Sequence, residues 1–204
     1  MGENSHLVMP EGHMEDLYKN KNPLIRWVHL QRQRNTRDLI PPTCKKILDV
    51  GCGEGHLLGY LNEVPGRKLF GVDVLSSVIK QAQERVPEAT IKLAKKNRIP
   101  FENETFDAVS CIDVLEHVPD WRALIKEILR VTKTNGIIVL GWPNDDNWNF
   151  GRLLMGKGPV PDHINILTPR IVRQAIQRQP MRSKRIPFGF PWKICLTTQE
   201  IYKK

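Results

Sequence analysis

The chain has no apolar run near the roughly 20 residues that a membrane helix needs; "GIIVLGW" (136–142) is only strand-sized. Its N-terminus, "MGENSHLVMPEGHMEDL", carries acids and no apolar core, so it does not read as a signal peptide. His6 stands where myristoylation after Met-Gly would want Ser or Thr. The four cysteines, Cys44, Cys52, Cys111 and Cys195, form no C-x-x-C pair. That disfavours a zinc site or a disulfide scaffold, and the expectation is a cytoplasmic protein with no metal, whose cysteines act as small apolar residues. There is no internal repeat and no low-complexity segment. A third glycine is also missing: "ILDVGCGEGHLLGYL" (47–61) has Gly51, Gly53 and Gly55, but the dinucleotide pattern G-x-G-x-x-G would need glycine or alanine where His56 stands.

What is present is an ordinary globular composition, 40% hydrophobic and 26% charged over 204 residues, with a net charge of +9. The charge is unevenly placed. Residues 18–46 hold eight Lys/Arg against Asp38, and residues 168–204 hold nine against Glu200. Residues 47–167 hold 14 basic and 16 acidic residues. Basic ends around a near-neutral core suggest an anionic partner, such as RNA, a membrane surface or an acidic small molecule; solvated basic helix faces are the plainer alternative.

Residues 1–16 read as a flexible tail. A helical segment within 17–46 follows, with Asn22 as N-cap, Pro23 at the first position and Pro41-Pro42 as its stop. From residue 47 to 204 strands and helices alternate. "KILDV", "KLFGVDV" (68–74), "TIKLA" (90–94), "FDAVSCI" (106–112) and "IIVLGW" read as strands. Helices fit 55–63, a stretch from Ser76, and "PDWRALIKEILRV" (119–131). The last places Trp121, Leu124, Ile125, Ile128 and Leu129 on one face. A further helix starts at Thr168-Pro169, and 181–188 and 193–202 are left as the final strands. This alternation predicts an α/β, Rossmann-like fold, a mostly parallel sheet with helices on both faces.

In such sheets ligands lie outside the carboxyl ends of the strands. Gly51–Gly55, Asp73, Lys95–Asn97, Asp113, His117 and Trp142–Asn144 all fall there. Asp73 ends the second strand, and a carboxylate is the natural acceptor for both hydroxyls of a ribose. The glycine loop and Asp73 together point to an adenosine-type ligand.

With D-V-G-C-G-x-G at 49–55, "GVDVLSSVIKQAQ" (71–83), "IPFENETFDAVSCIDVLEHVPDW" (99–121), "LRVTKTNGIIVLGWPN" (129–144) and "DHINILTPRIVRQAI" (162–176), the chain resembles the class I S-adenosylmethionine-dependent methyltransferases of the small-molecule type. The resemblance implies an antiparallel last strand, S-adenosyl-L-methionine as cofactor and S-adenosyl-L-homocysteine as product. It implies that Gly51 and Gly53 lie against the methionine part and ribose, that Asp49 anchors the loop amides or merely braces the loop, and that Val74 lies beside the adenine. Cys111, Ile112 and Asp113 would line the methionine end, and the cofactor set extends to Cys52, Gly55, Lys96 and Asn97. One departure stands out: relatives carry an aspartate for the adenine amino group where this chain has Lys95, which cannot accept a hydrogen bond. Asn97 or a backbone carbonyl would have to replace it.

The sulfonium methyl is already activated, so transfer needs mainly positioning. His117 is the candidate catalytic base, with backbone hydrogen bonding as its alternative role. Tyr18, Trp27, Trp142 and His163 are candidate substrate-lining residues, beside a lid segment at about 145–167. There is no N/D-P-P-Y after the fourth strand, and no Pro-Cys nucleophile. The expected function is therefore methyl transfer to a small molecule, with an RNA methyltransferase or a non-catalytic binding protein on the same fold as alternatives.

Overall fold

In the computed structural model, which describes residues 19, 21–95, 98–145, 149, 163–187 and 195–204, helix α1 (Pro23–Leu39) starts as its sequence predicts. The Asn22 side chain accepts from the Leu24 N–H at 3.0 Å, and Pro23 occupies the first position. The helix ends at Leu39, before Pro41-Pro42. The elements that follow are β1 (Lys46–Val50), α2 (His56–Asn62), β2 (Lys68–Asp73), α3 (Ser76–Arg85), β3 (Thr90–Leu93) and β4 (Phe106–Ile112). A single 3-10 turn, Leu115–His117, leads to α4 (Trp121–Val131) and β5 (Thr132–Pro143). The chain closes with α5 (Pro169–Ile176), β6 (Arg182–Pro187) and β7 (Cys195–Lys203). The predicted tail (1–16) and most of the predicted lid lie outside the described residues, as do Tyr18, Lys96 and Asn97.

Seven strands form one sheet in the order β3-β2-β1-β4-β5-β7-β6. The first five run parallel, and β7 runs antiparallel to both β5 and β6. Strand order reverses between β1 and β4, so this topology opens its crevice where those two strands end.

Alternation along the strands sends side chains to two cores. Leu48, Val50, Val109, Cys111, Ile138, Leu140 and Trp142 pack with Leu124, Ile125 and Ile128 of α4 and Val172 and Ile176 of α5. Ile47, Ala108, Val139 and Ile201 face the other way, onto Leu57, Leu58 and Leu61 of α2. Helix α1 covers that second face with an unusually polar buried surface of His29, Arg32, Gln33 and Thr36. Gln199 of β7 meets it, its amide donating to the Arg32 carbonyl (3.0 Å) and to the Thr36 hydroxyl (2.5 Å). Among the described residues no helix is long and apolar enough to cross a membrane.

One boundary differs from its sequence-based placement. β5 begins at Thr132 rather than after Asn135-Gly136, because Thr132 pairs with Phe106 before the register jumps to Ala108 with Ile137. The intervening residues bulge out, with Asn135 left-handed at φ 65°.

Gly55 is the N-cap of α2 at φ 80°, and a Cβ there would stand 3.0 Å from the Ala82 Cα in α3. Backbone cannot yield as a flexible side chain can. Gly55→Ala is expected to lower stability by about 1–3 kcal/mol, read as a lower urea midpoint with an unchanged m-value.

Candidate functional site at the carboxyl ends of the sheet

The loop after β1 is fixed by backbone from β2. The Gly51 and Cys52 N–H groups both donate to the Val72 carbonyl, at 2.8 and 3.0 Å, and the Gly55 N–H donates to the Cys52 carbonyl. Gly53 points its N–H at the Asp73 carboxylate, 2.9 Å from Oδ2. The other oxygen of Asp73 accepts from the Leu75 N–H at 3.0 Å, so this residue braces the turn that leads into α3 as well as holding the loop. Each carboxylate oxygen keeps a further lone pair.

The three glycines do three different jobs. All are left-handed, with φ of 72°, 48° and 80°. A Cβ on Gly51 would come within 2.3 Å of Val114, so this glycine lets the β1 and β4 loops touch. Gly55 serves the α2–α3 contact. Only Gly53 faces open space, with nothing within 4 Å of a Cβ built on it. Packing thus excludes a side chain at Gly51 and Gly55, and of the three only Gly53 leaves open space beside the loop.

Asp49 does not anchor the loop amides. Its partner is the Ser110 hydroxyl on the neighbouring strand, at 2.8 Å. Burial pushes the Asp49 carboxyl up to about 7, opposed by the Ser110 hydrogen bond and assisted by the nearby Asp73 charge. Cys52 is also redirected: its side chain packs in the core beside Gly71, and burial holds its thiol far above the ordinary range. Cys111 is fully buried as well, which leaves only its backbone for any contact in the crevice.

Beyond β4 lies a cluster of charge. Asp113 is left-handed at φ 54°, and its Oδ2 lies 2.5 Å from Arg32 Nη1 of α1. Both partners are largely buried, and the guanidinium also contacts the His29 ring. Glu116 is buried, and among the described residues neither carboxyl oxygen has a hydrogen-bond partner. Burial drives its carboxyl well above the usual range, and the Asp113 charge pushes the same way. His117 stacks edge-on against His163, with ring centroids 5.0 Å apart, and His163 Nδ1 is bonded to Asp145. Glu116, His117 and His163 each bring a ligand-type atom within 4.8 Å of the others, a spacing that could also accept a cation.

The remaining candidates separate clearly. Val74 is 56% exposed and Leu93 54%, an apolar pair beside Asp73, which pairs with Leu93 in the sheet. Ile112 turns toward Gly141 of β5. Trp27 stands exposed on α1. Trp142 is corrected: at 1% exposure it belongs to the core beneath α4 and α5, since its place in β5 shares the parity of Ile138 and Leu140, so it does not line an open mouth. Arg32, Glu116 and Asp145 were not singled out from sequence. Arg32 was hidden among the basic residues of α1, and Glu116 and Asp145 lay inside quoted motifs with no partner visible.

A ribosyl-adenine group fits what is here: a braced carboxylate, a glycine open on one side and two exposed apolar side chains around them. Residues 48–140 match the sequence family described as a methyltransferase domain. That stretch, just under half of the chain, carries a methyltransferase domain. The chain is 33% identical over 128 residues to 2-methyl-6-phytyl-1,4-hydroquinone methyltransferase from Synechocystis sp., covering 61% of this chain and 38% of that protein. It is 31% identical over 143 residues to ubiquinone biosynthesis O-methyltransferase from Pasteurella multocida, covering 63% of this chain and 56% of the relative. The matched region thus spans about two fifths to just over half of these curated relatives. The fold is shared over 96% of this chain and 99% of the crystal structure of the PH0226 protein from Pyrococcus horikoshii, with a TM-score of 0.74 at 19% identity.

Two measurements test the electrostatics. Because the folded Asp49 binds its proton more tightly than the unfolded residue, its contribution to stability falls as pH rises from about 4 to about 7. Asp49→Asn removes that dependence, so its stability relative to wild type should rise by about 3 kcal/mol between pH 5 and pH 8 in paired urea titrations. Arg32→Met should cost about 3–5 kcal/mol by leaving Asp113 buried without its counter-charge. Adding Asp113→Asn should restore part of the urea midpoint.

Proposed function

We propose that the chain binds S-adenosyl-L-methionine at the carboxyl ends of β1, β2 and β4 and transfers its methyl group to a small-molecule acceptor. The observation that carries this reading is the Gly53–Asp73 clasp, 2.9 Å long, next to the open side of Gly53. When bound, the cofactor supplies a methyl group already activated on a sulfonium. The chain's own residues bind and orient: Asp73 takes the ribose diol on its remaining lone pairs, and Val74 and Leu93 flank the adenine. The loop Ile112–Val114, held by Arg32 and packed against Gly51, borders the methionine end. The imidazoles of His117 and His163 stand on the acceptor side. The names of the two curated relatives favour an aromatic acceptor of the quinone or hydroquinone kind, and the O-methyltransferase name favours a hydroxyl.

The basic ends support an anionic acceptor less than their net charge suggests. Arg32 is committed to Asp113, Arg37 to Asp38 and Glu63, and Lys184 to Asp38. Arg173 is committed to Glu200, and Lys204 to Glu104. Ion pairs within the fold leave fewer of these cations for a phosphate backbone, so the RNA reading gains nothing from the structure. Lys95, which stands where relatives carry an aspartate, is exposed, and its carbonyl accepts from the Arg98 N–H.

Calorimetry with S-adenosyl-L-homocysteine tests the proposal. Wild type should bind, and Asp73→Ala should weaken binding by about a hundredfold, the loss of two hydrogen bonds to a charged acceptor. Equal affinity in the variant would refute the site, and no binding to wild type at millimolar ligand would refute the enzyme reading.

A further inference from the structure

His117 and His163 meet edge to edge, and a buried carboxylate lies near each. The two pairings are not equivalent. The closest approach of Glu116 to His117 is 4.0 Å from Oε1 to Nε2, beyond hydrogen-bond range. His163 is different: its Nδ1 is hydrogen-bonded to Oδ1 of Asp145, a residue only 4% exposed whose other oxygen has no partner among the described residues. The backbone around His163 is fastened to the turn that carries His117. The Ile164 and Asn165 N–H groups both donate to the Glu116 carbonyl, at 2.9 and 3.1 Å. The Asn165 amide donates to the carbonyls of Leu115 and Val118, at 3.0 and 2.8 Å. The ring is therefore positioned from both sides, and its side chain keeps 15% exposure.

An ionised carboxylate only accepts hydrogen bonds, so Asp145 requires the ring proton of neutral His163 to sit on Nδ1. Nε2 is then left as a lone pair. A carboxylate that fixes tautomer and orientation in this way makes a histidine a competent base. Resting on the methyltransferase reading above, we propose that His163, not His117, is the general base of this domain, that Asp145 is its positioning residue, and that the acceptor atom is a hydroxyl oxygen. In the step, the acceptor oxygen bonds to the methyl carbon as the carbon–sulfur bond breaks and its electron pair passes to sulfur, giving a neutral thioether. The hydroxyl proton passes to His163 Nε2, the imidazolium is held by Asp145, and the proton leaves to water after the product departs. His117 supplies the face against which the ring of His163 is packed.

The test begins with nitrogen-15 NMR of the histidine rings in the full chain without cofactor. One ring should show the Nδ1–H tautomer. That signal should vanish in His163→Gln, lose its single-tautomer character in Asp145→Asn, and persist in His117→Gln. An Nε2–H tautomer at His163 in wild type would overturn the proposal without any turnover being measured. The second readout is methyl transfer to three probes: a 4-alkylcatechol, an alkylhydroquinone and methyl 4-hydroxybenzoate. With a methylated probe, His163→Gln should lower kcat about 10²- to 10⁴-fold, the range expected for a lost general base. Raising the pH should recover part of that loss as the acceptor ionises by itself, and S-adenosyl-L-homocysteine affinity should stay within threefold of wild type. A kcat within threefold of wild type would overturn the assignment. So would transfer to none of the probes by a protein that binds S-adenosyl-L-homocysteine, or one divalent ion per chain that His163→Gln releases. Failure of the cofactor reading is seen separately, as absent calorimetric binding while the ring tautomer persists.

Discussion

Everything at the carboxyl end of this sheet depends on how the Gly51–Gly55 loop is tied down. Two of its amides converge on one carbonyl of β2, and a third meets the carboxylate that ends the same strand. A segment so bound to β2 must bend sharply, which is why its glycines adopt left-handed conformations. The bend brings Gly51 against Val114 and so registers the β1 loop on the β4 loop. Strand order then makes that contact the floor of the crevice, because β1 and β4 are the neighbours between which the topology reverses.

Around this floor the fold concentrates the groups that a core ordinarily avoids. Asp49, Glu116 and Asp145 are carboxyl residues at or below 4% exposure, and Arg32 is buried with them. All the acids follow or end strands on the same edge of the sheet. Burying such groups costs stability unless each is paired, neutralised or hydrogen-bonded. The protein uses all three routes: Arg32 pairs Asp113, the carboxyls of Asp49 and Glu116 are pushed toward their neutral forms, and Ser110 and His163 bond Asp49 and Asp145. A set of partly satisfied groups confined to one end is the pattern of a site whose polarity serves a ligand rather than the fold.

Local chemistry made much of the architecture readable. Asn22, Pro23 and Pro41-Pro42 bound α1 because capping is decided within a few residues, and β4 was placed to the residue from an apolar run bounded by polar turns. The start of β5 was not, because Thr132 joins the sheet across a bulge that no periodicity announces. The glycines were legible as a loop but not as individuals: their separate duties follow from Val114 and Ala82, which lie far along the chain. The same limit hid Arg32. Its partner is 81 positions away, and nothing in a run of basic residues marks the one that the packing turns inward. Asp145 and His163 were each visible, yet their pairing depends on α4 and β5 folding back on the turn after β4.

The central claim is that the ligand end of this sheet is the carboxyl edge at β1 and β4. The opposite edge offers a competing groove, lined by Pro41, Cys44, Asp107, Lys133, Ile137 and Lys203. Backbone amide NMR during titration with S-adenosyl-L-homocysteine distinguishes them most directly. Shifts are expected to centre on Gly53, Val74, Leu93 and Ile112–Val114, with Lys133–Ile137 silent. Shifts centred on Asp107 and Lys133–Ile137, with Gly53 and Val74 unmoved, would contradict it.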